Sequence, residues 1–317
     1  MGRSVVRMIR EPTAELIEQF ATLLTLDGRL LCDTRPSALV HSCSNAACQI
    51  QIATPIDAPG LVIGGIIFVH LSESPLSYVA ALYVRKDFRG RRIGRALFDE
   101  FQRSFANTSR IAFCDFVRTE KARLRPSLFP VEGRYSIRRI VGFAVNIALA
   151  GGELIAAYRK VEEGDSLPEV CNFANSFDMD KIVEFDASVA GRNRHEVRQM
   201  DGFVGVVAQD HSKRVVGYAM SLPGVGYREI TVGPVYAVNL VTAICLLREL
   251  CSAAGDDKII HVHVPHMGHR ILRFLHDKAL CDVDKQFDRF YTHSVNVPAD
   301  DFSKIFAISA KILLPDC

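Results

Sequence analysis

Leu82-Tyr83-Val84-Arg85-Lys86-Asp87-Phe88-Arg89-Gly90-Arg91-Arg92-Ile93-Gly94-Arg95-Ala96-Leu97 is the stretch on which the reading of this chain turns. An apolar strand enters a basic, Gly-bearing turn, and the turn opens directly into an amphipathic helix. The first amides of a helix have no partner within it, and the helix dipole adds partial positive charge there. A pyrophosphate fits such a helix start. Arg89, Arg91, Arg92 and Arg95 add charge, and Gly90 and Gly94 let the backbone approach a ligand closely. A solvated basic face or a nucleic-acid patch would need neither the preceding strand, nor the helix, nor glycines at these spacings. A dinucleotide turn would need a Gly-x-Gly-x-x-Gly spacing that is absent.

The segment Arg89-Gly90-Arg91-Arg92-Ile93-Gly94 resembles the acyl-CoA pyrophosphate motif of the GNAT acyltransferase superfamily. That motif reads Arg/Gln-x-x-Gly-x-Gly/Ala between a strand ending in Val and a helix. Tyr83-Val84 before it and Gly94-Arg95-Ala96-Leu97 after it fit the same pattern. Arg92 departs from it, standing where the first Gly of the Gly-x-Gly pair is usual.

Composition frames this local signal. A chain of 317 residues predicts about two domains. Hydrophobic residues at 49% and charged residues at 23% describe a globular protein, and a net charge of +2 gives no general attraction to nucleic acid or membrane. The basic turn therefore stands out from its background. Nine cysteines are scattered without paired metal spacing, which predicts free thiols in a reducing, intracellular compartment, cytoplasmic or nuclear by diffusion. The longest apolar run, 61–69, is too short to span a bilayer, and the first ten residues lead into no signal-peptide core.

The pattern along the chain predicts two halves with one plan. In the first, strands are expected at 4–10, 49–54, 61–70, 77–84 and 110–117, with helices at 13–24 and 95–105. Thr13 is the candidate N-cap of the first helix. Residues 118–140 carry no clear pattern, and Gly151-Gly152 predicts a hairpin joining strands at 143–149 and 153–159. After a charged linker at 160–168, strand, strand, helix and strand recur. Gly64, Val84, Leu97 and Ile111 are matched in spacing by Gly217, Val232, Leu246 and Ile259. The second turn, Val232-Gly233-Pro234-Val235-Tyr236-Ala237, has no arginine, and Pro234 lacks an amide donor.

The whole chain thus resembles tandem GNAT proteins. The expected fold class is α/β (α+β), with two GNAT-like domains, 1–160 and 161–317. Each would have a mixed, mostly antiparallel central sheet flanked by helices. The first would be the acetyltransferase and the second a degenerate copy. Phe185-Asp186, with Asp186 read equally as a surface ion pair with Arg194, adds to the second resemblance.

The resemblance implies acetyl-CoA as co-substrate, with no metal, and an amine acceptor that is either a small molecule or a protein. The cofactor-binding residues would be Leu82, Tyr83, Val84, Arg89, Gly90, Arg91, Arg92, Ile93, Gly94 and Arg95. A backbone N–H of Tyr83 or Val84 would polarise the thioester carbonyl. Strand 77–84 has no carboxylate, so Glu73 just before it is the nearest candidate base, a solvated turn residue being its first reading. Tyr78 and Tyr83, five positions apart, are expected on opposite faces, one of them able to relay a proton. Gly142-Phe143 matches a late family strand. The Tyr acid usual before it is replaced by Arg138, leaving Tyr135 as the substitute. His261 and His263 alternate on a strand and read as packed histidines, with a metal pair as the second reading. The rival function is a non-catalytic module that binds acyl-CoA or a protein partner.

Overall fold

The computed structural model describes residues 6–26, 48–70, 74–104, 110–117, 128–161, 167–173, 179–191, 204–224, 227–265, 269–294 and 302–308. The strands are β1 (Val6–Ile9), β2 (Cys48–Pro55), β3 (Gly64–His70), β4 (Leu76–Val84), β5 (Ile111–Val117), β6 (Val131–Phe143) and β7 (Glu169–Asn172). They continue as β8 (Val204–Gln209), β9 (Val215–Pro223), β10 (Glu229–Ala237), β11 (Ile259–Pro265), β12 (Asp282–Tyr291) and β13 (Ile305–Ala307). The helices are α1 (Ala14–Leu26), α2 (Ile93–Ser104), α3 (Ala144–Val161), α4 (Met179–Ala190), α5 (Leu240–Ala254) and the short α6 (His269–Arg273).

All the strands join one mostly antiparallel sheet in the order β1-β2-β3-β4-β5-β12-β6-β11-β10-β9-β8-β7, with β13 on β10. The two halves exchange a strand. β12, from the second half, lies between β5 and β6, and β6, from the first, lies between β12 and β11. Among the described residues only β4–β5 and β10–β11 are parallel pairs, and each is joined by a crossover through a helix, as parallel pairing requires. The expected division after residue 160 falls at the end of α3.

Helices α1 and α2 each bury one face, whereas α5 is buried all round over Thr242–Leu247. On α2, Ile93, Leu97, Phe98 and Phe101 recur at helical spacing and pack on Val79, Ala112 and Phe129. α1 covers the opposite sheet face through Ile17, Phe20, Ala21 and Leu24, against Tyr78 and Phe113. The Thr13 hydroxyl lies 3.5 Å from the Leu16 amide, at the N-cap of α1.

Three expectations are corrected. Residues 144–161 form helix α3, not a hairpin around Gly151-Gly152. A Cβ on Gly151 would stand 3.1 Å from the Arg248 Cβ, so Gly151 admits the close approach of α5, and the glycine pair makes no turn. Second, Gly233-Pro234 does not end a strand. β10 runs on to Ala237, and the dipeptide forms a bulge against β9 between Val232 and Val235. The following helix begins at Leu240. Third, where the sequence carried no clear pattern, Tyr135 and Arg138 lie on β6, in a strand continuous with Gly142-Phe143.

No helix among the described residues is long and apolar enough to cross a membrane. The described cysteines are free thiols. Burial pushes Cys281 up to about 12 and Cys251 higher still, so both are inert packing groups.

Candidate active site

The parallel pairing of β4 with β5 covers only Leu76–Ile111, Ser77–Ala112 and Tyr78–Phe113. Beyond Phe113, β5 pairs with β12 on its other side, and β4 continues to Val84. Among the described residues no strand pairs with Val79–Val84 on the β5 side. A gap therefore opens from Tyr78 and Phe113 toward the basic turn. The Arg85 amide donates to the Ile63 carbonyl at 2.9 Å, which fixes the parity of the strand end. By alternation the Tyr83 amide turns toward β3, and those of Leu82 and Val84 turn into the gap. Of the two amides expected to meet a thioester carbonyl, only that of Val84 has this direction.

A bulge also sits on β4. The register with β3 shifts between Ile67–Ala81 and Phe68–Val79, leaving Ala80 as the extra residue. This corrects the expected placing of the tyrosines. The added residue restores parity, so Tyr78 and Tyr83 face the same side and enter one cluster with Ala80 and Phe113. Tyr78 is 1% exposed, with its ring 5.0 Å from that of Phe113. It is a packing residue at the closed end of the gap.

The turn is built to leave backbone donors outward. After Val84 a single 3-10 turn, Lys86–Phe88, closes with the Phe88 amide on the Arg85 carbonyl at 3.0 Å. Gly90 has φ +79° and Arg92 has φ +63°, both in the left-handed region. The Arg92 carbonyl then accepts from the Ala96 amide at 3.0 Å, which starts α2. The amides of Ile93 and Gly94 open the helix, where no carbonyl within it can reach them. A Cβ on Gly94 would meet only Val84 Cγ2, at 3.6 Å, so the strand end and the helix start stand side by side.

The arginines have distinct tasks. Arg89 Nε donates to the Val84 carbonyl at 2.9 Å, and its guanidinium lies 5.5 Å from the centre of the Tyr83 ring. It ties the turn to the strand. Arg91 stacks on Phe88 at 5.0 Å, Arg85 pairs with Asp87 at 2.9 Å, and Arg95 pairs with Asp99 one turn along at 2.8 Å. Arg92 is exposed and projects from the left-handed position. These contacts fix Arg85, Arg89, Arg91 and Arg95 within the turn and the first turns of α2, so positive charge and the free amides of a helix start lie on one short segment.

Acid–base groups are fewer. Glu73 lies outside the described residues, as does the side chain of Tyr135. At the far end of β4, His70 Nδ1 lies 2.9 Å from the Ser77 hydroxyl. Burial first, and Arg110 second, lower the His70 pKa, so the ring is neutral at neutral pH.

The sequence reading missed a buried ion pair at the gap's wall. Arg289 on β12 grips Asp115 on β5 through two bonds, 2.9 and 3.1 Å, with both side chains buried, and lies 4.5 Å from the Phe113 ring centre. A carboxylate inside the apolar run Ile111–Val117 was the available signal. Its partner, far along the chain, left none.

The second half differs at each corresponding point. Its link from strand to helix is only Val238 and Asn239, against residues 85–92 in the first half. The Asn239 side chain accepts from the Thr242 amide at 2.8 Å, so the start of α5 is capped from within. Asp186 is fully buried and accepts from the Tyr218 hydroxyl, which corrects its reading as a surface ion pair. Arg194 lies outside the described residues. His261 and His263 are buried, and no group of three metal-ligating side chains occurs among the described residues.

Comparison with known proteins reaches the second half by sequence and the fold of the whole chain by structure. Residues 182–306 match the family model described as acetyltransferase (GNAT) domain. No curated protein sequence matches the chain. Among solved structures, the chain resembles a tandem GNAT protein from the clavulanic acid biosynthesis pathway, with 14% identity and a TM-score of 0.63, over 93% of this chain and all of that one. A putative acetyltransferase from Pyrococcus horikoshii gives 14% identity and a TM-score of 0.65, covering 96% of this chain and 95% of the other. Saccharomyces cerevisiae N-myristoyltransferase gives 10% and 0.59, covering 96% and 86%.

Proposed function

Starting from the tandem GNAT architecture of this chain, we propose that it is an acyl-CoA-dependent N-acyltransferase working in its first half, with acetyl-CoA as the donor. The observation that carries this reading is the turn at 89–95, where an arginine-rich loop with two left-handed residues leads from the end of β4 into the start of α2. The pyrophosphate takes the amides of Ile93 and Gly94, with charge from Arg91, Arg92 and Arg95. Arg89 holds the turn against Val84. The pantetheine arm lies in the gap, where Leu82 and Val84 offer backbone groups. An amide on that edge stabilises the charge that develops on the thioester oxygen.

A neutral amine, from a small molecule or a protein, then attacks the thioester carbon. The new C–N bond forms, the C–S bond breaks, and the thiolate leaves as CoA after taking up a proton. Holding donor and acceptor in line supplies much of the acceleration. The division into an acetyltransferase domain, 1–160, and a degenerate domain, 161–317, belongs to this proposal.

One observation favours a second reading, a module that binds acyl-CoA without turnover. No Asp or Glu occurs on β4, so the edge carries no base of its own. Both readings are separated by one experiment. Acetyl-CoA at about 100 times its Kd should stabilise the protein by about 2.7 kcal/mol, and free thiol should then appear with some member of an amine panel. Stabilisation without thiol release would support the module, and neither effect would refute both.

A further inference from the structure

The two halves stop their parallel pairing at matching places but treat the space beyond differently. β10 pairs with β11 from Glu229–Ile259 to Val232–Val262 and then leaves it, as β4 leaves β5 after Tyr78. In the first half no described strand follows on the exposed side of β4. In the second, β13 enters the gap antiparallel to β10, with Val235 opposite Ala307 and Tyr236 opposite Ile305. It also reaches the other wall, where the Ile308 amide donates to the His263 carbonyl at 2.8 Å. Ile305, Phe306, Ala307 and Ile308 are all buried.

We propose that residues 305–308 are a permanent internal occupant of the second gap, pairing with the strand edge that a thioester arm would need. One chain would then take up one thioester, in its first half. This rests on the proposed acyl-CoA site in the first half. The segment is extended, as a pantetheine arm is, and bonds to both walls of the gap. Its removal would expose Ile305, Phe306 and Ile308 to water, which opposes opening. The capped start of α5 and the short link before it supply no phosphate site to pull a thioester in against the strand.

Calorimetric titration with acetyl-CoA, on the full chain and on a Val235→Cys/Ala307→Cys variant oxidised to lock β13 in place, tests this. One site per chain in both proteins, with equal affinity and turnover, is the expected result. Two sites in the full chain would overturn the inference and leave the proposed function standing, and no site would overturn both. Loss of turnover on locking, restored by reductant, would show that the strand must leave and would also overturn it. Ile308→Pro removes the donor to His263. If that variant folds, millimolar acetyl-pantetheine should slow hydrogen exchange across 229–237 in it and not in the unaltered chain. Equal exchange with and without the ligand would show that β13 is not what closes the gap. If the variant does not fold, the locked variant and the site count decide.

Discussion

Arg92 occupies a left-handed backbone position that a residue with a Cβ adopts at a cost of about 1–2 kcal/mol. The family motif places Gly there, and the turn keeps the conformation with Arg. The substitution Arg92→Gly should therefore raise stability by up to about 1 kcal/mol in urea melts, since part of the relief is offset by the freer unfolded chain. A loss of stability would mean that the Arg92 side chain holds the turn. Buried charge gives a sharper residue-scale test. Truncating one partner of the Asp115–Arg289 pair, as in Arg289→Met, should cost about 3–5 kcal/mol, because the buried Asp115 carboxylate then loses its guanidinium partner. The double variant Asp115→Leu/Arg289→Met should lose far less. If the two single costs simply add in the double variant, the pair is not coupled.

Among the elements, α3 separates its two glycines. Gly152→Ala meets no atom within 4 Å and should stabilise by about 0.5–1 kcal/mol, whereas Gly151→Ala presses on Arg248 and should gain less or lose. Equal gains in thermal melts would contradict the packing of α3 on α5. The β3–β4 hairpin carries a pH dependence through His70, whose folded pKa lies below its unfolded value of about 6.5. Its contribution is complete above the unfolded pKa and is lost as pH falls through the folded one. Between pH 8 and pH 5 the unaltered chain should therefore lose more stability than His70→Gln, and parallel curves would contradict this. At this scale the sequence was legible where the signals are local. The strand, the turn and the helix start at 82–97 follow from neighbouring residues. Gly151-Gly152 carries the mark of a turn, yet the contact it serves is with a helix nearly a hundred positions away. The bulges at Ala80 and Gly233-Pro234 shift parity without an unambiguous local mark, and so the tyrosine faces and the end of β10 were misplaced.

For the whole molecule the exchange of β6 and β12 was invisible in the sequence, because strand neighbours so far apart in the chain leave no periodic trace. It has a direct consequence. Fragments 1–161 and 162–317 each lack a strand that the other supplies. Neither should give a cooperative melt by itself, and co-expression should restore the complex. An independently folded fragment would show that the exchange is dispensable. The central claim, that the turn at 89–95 holds the pyrophosphate of acetyl-CoA, is tested most directly by calorimetric titration of the unaltered chain beside Gly94→Glu. A Cβ on Gly94 would make one ordinary contact, with Val84 Cγ2 at 3.6 Å, so the variant should fold with little loss, while its carboxylate at the helix start repels the phosphates. Saturable binding to the unaltered chain, at least a hundredfold weaker in the variant at an unchanged melting temperature, is the predicted result. Equal binding by the two proteins, or none by the unaltered chain, would contradict the claim.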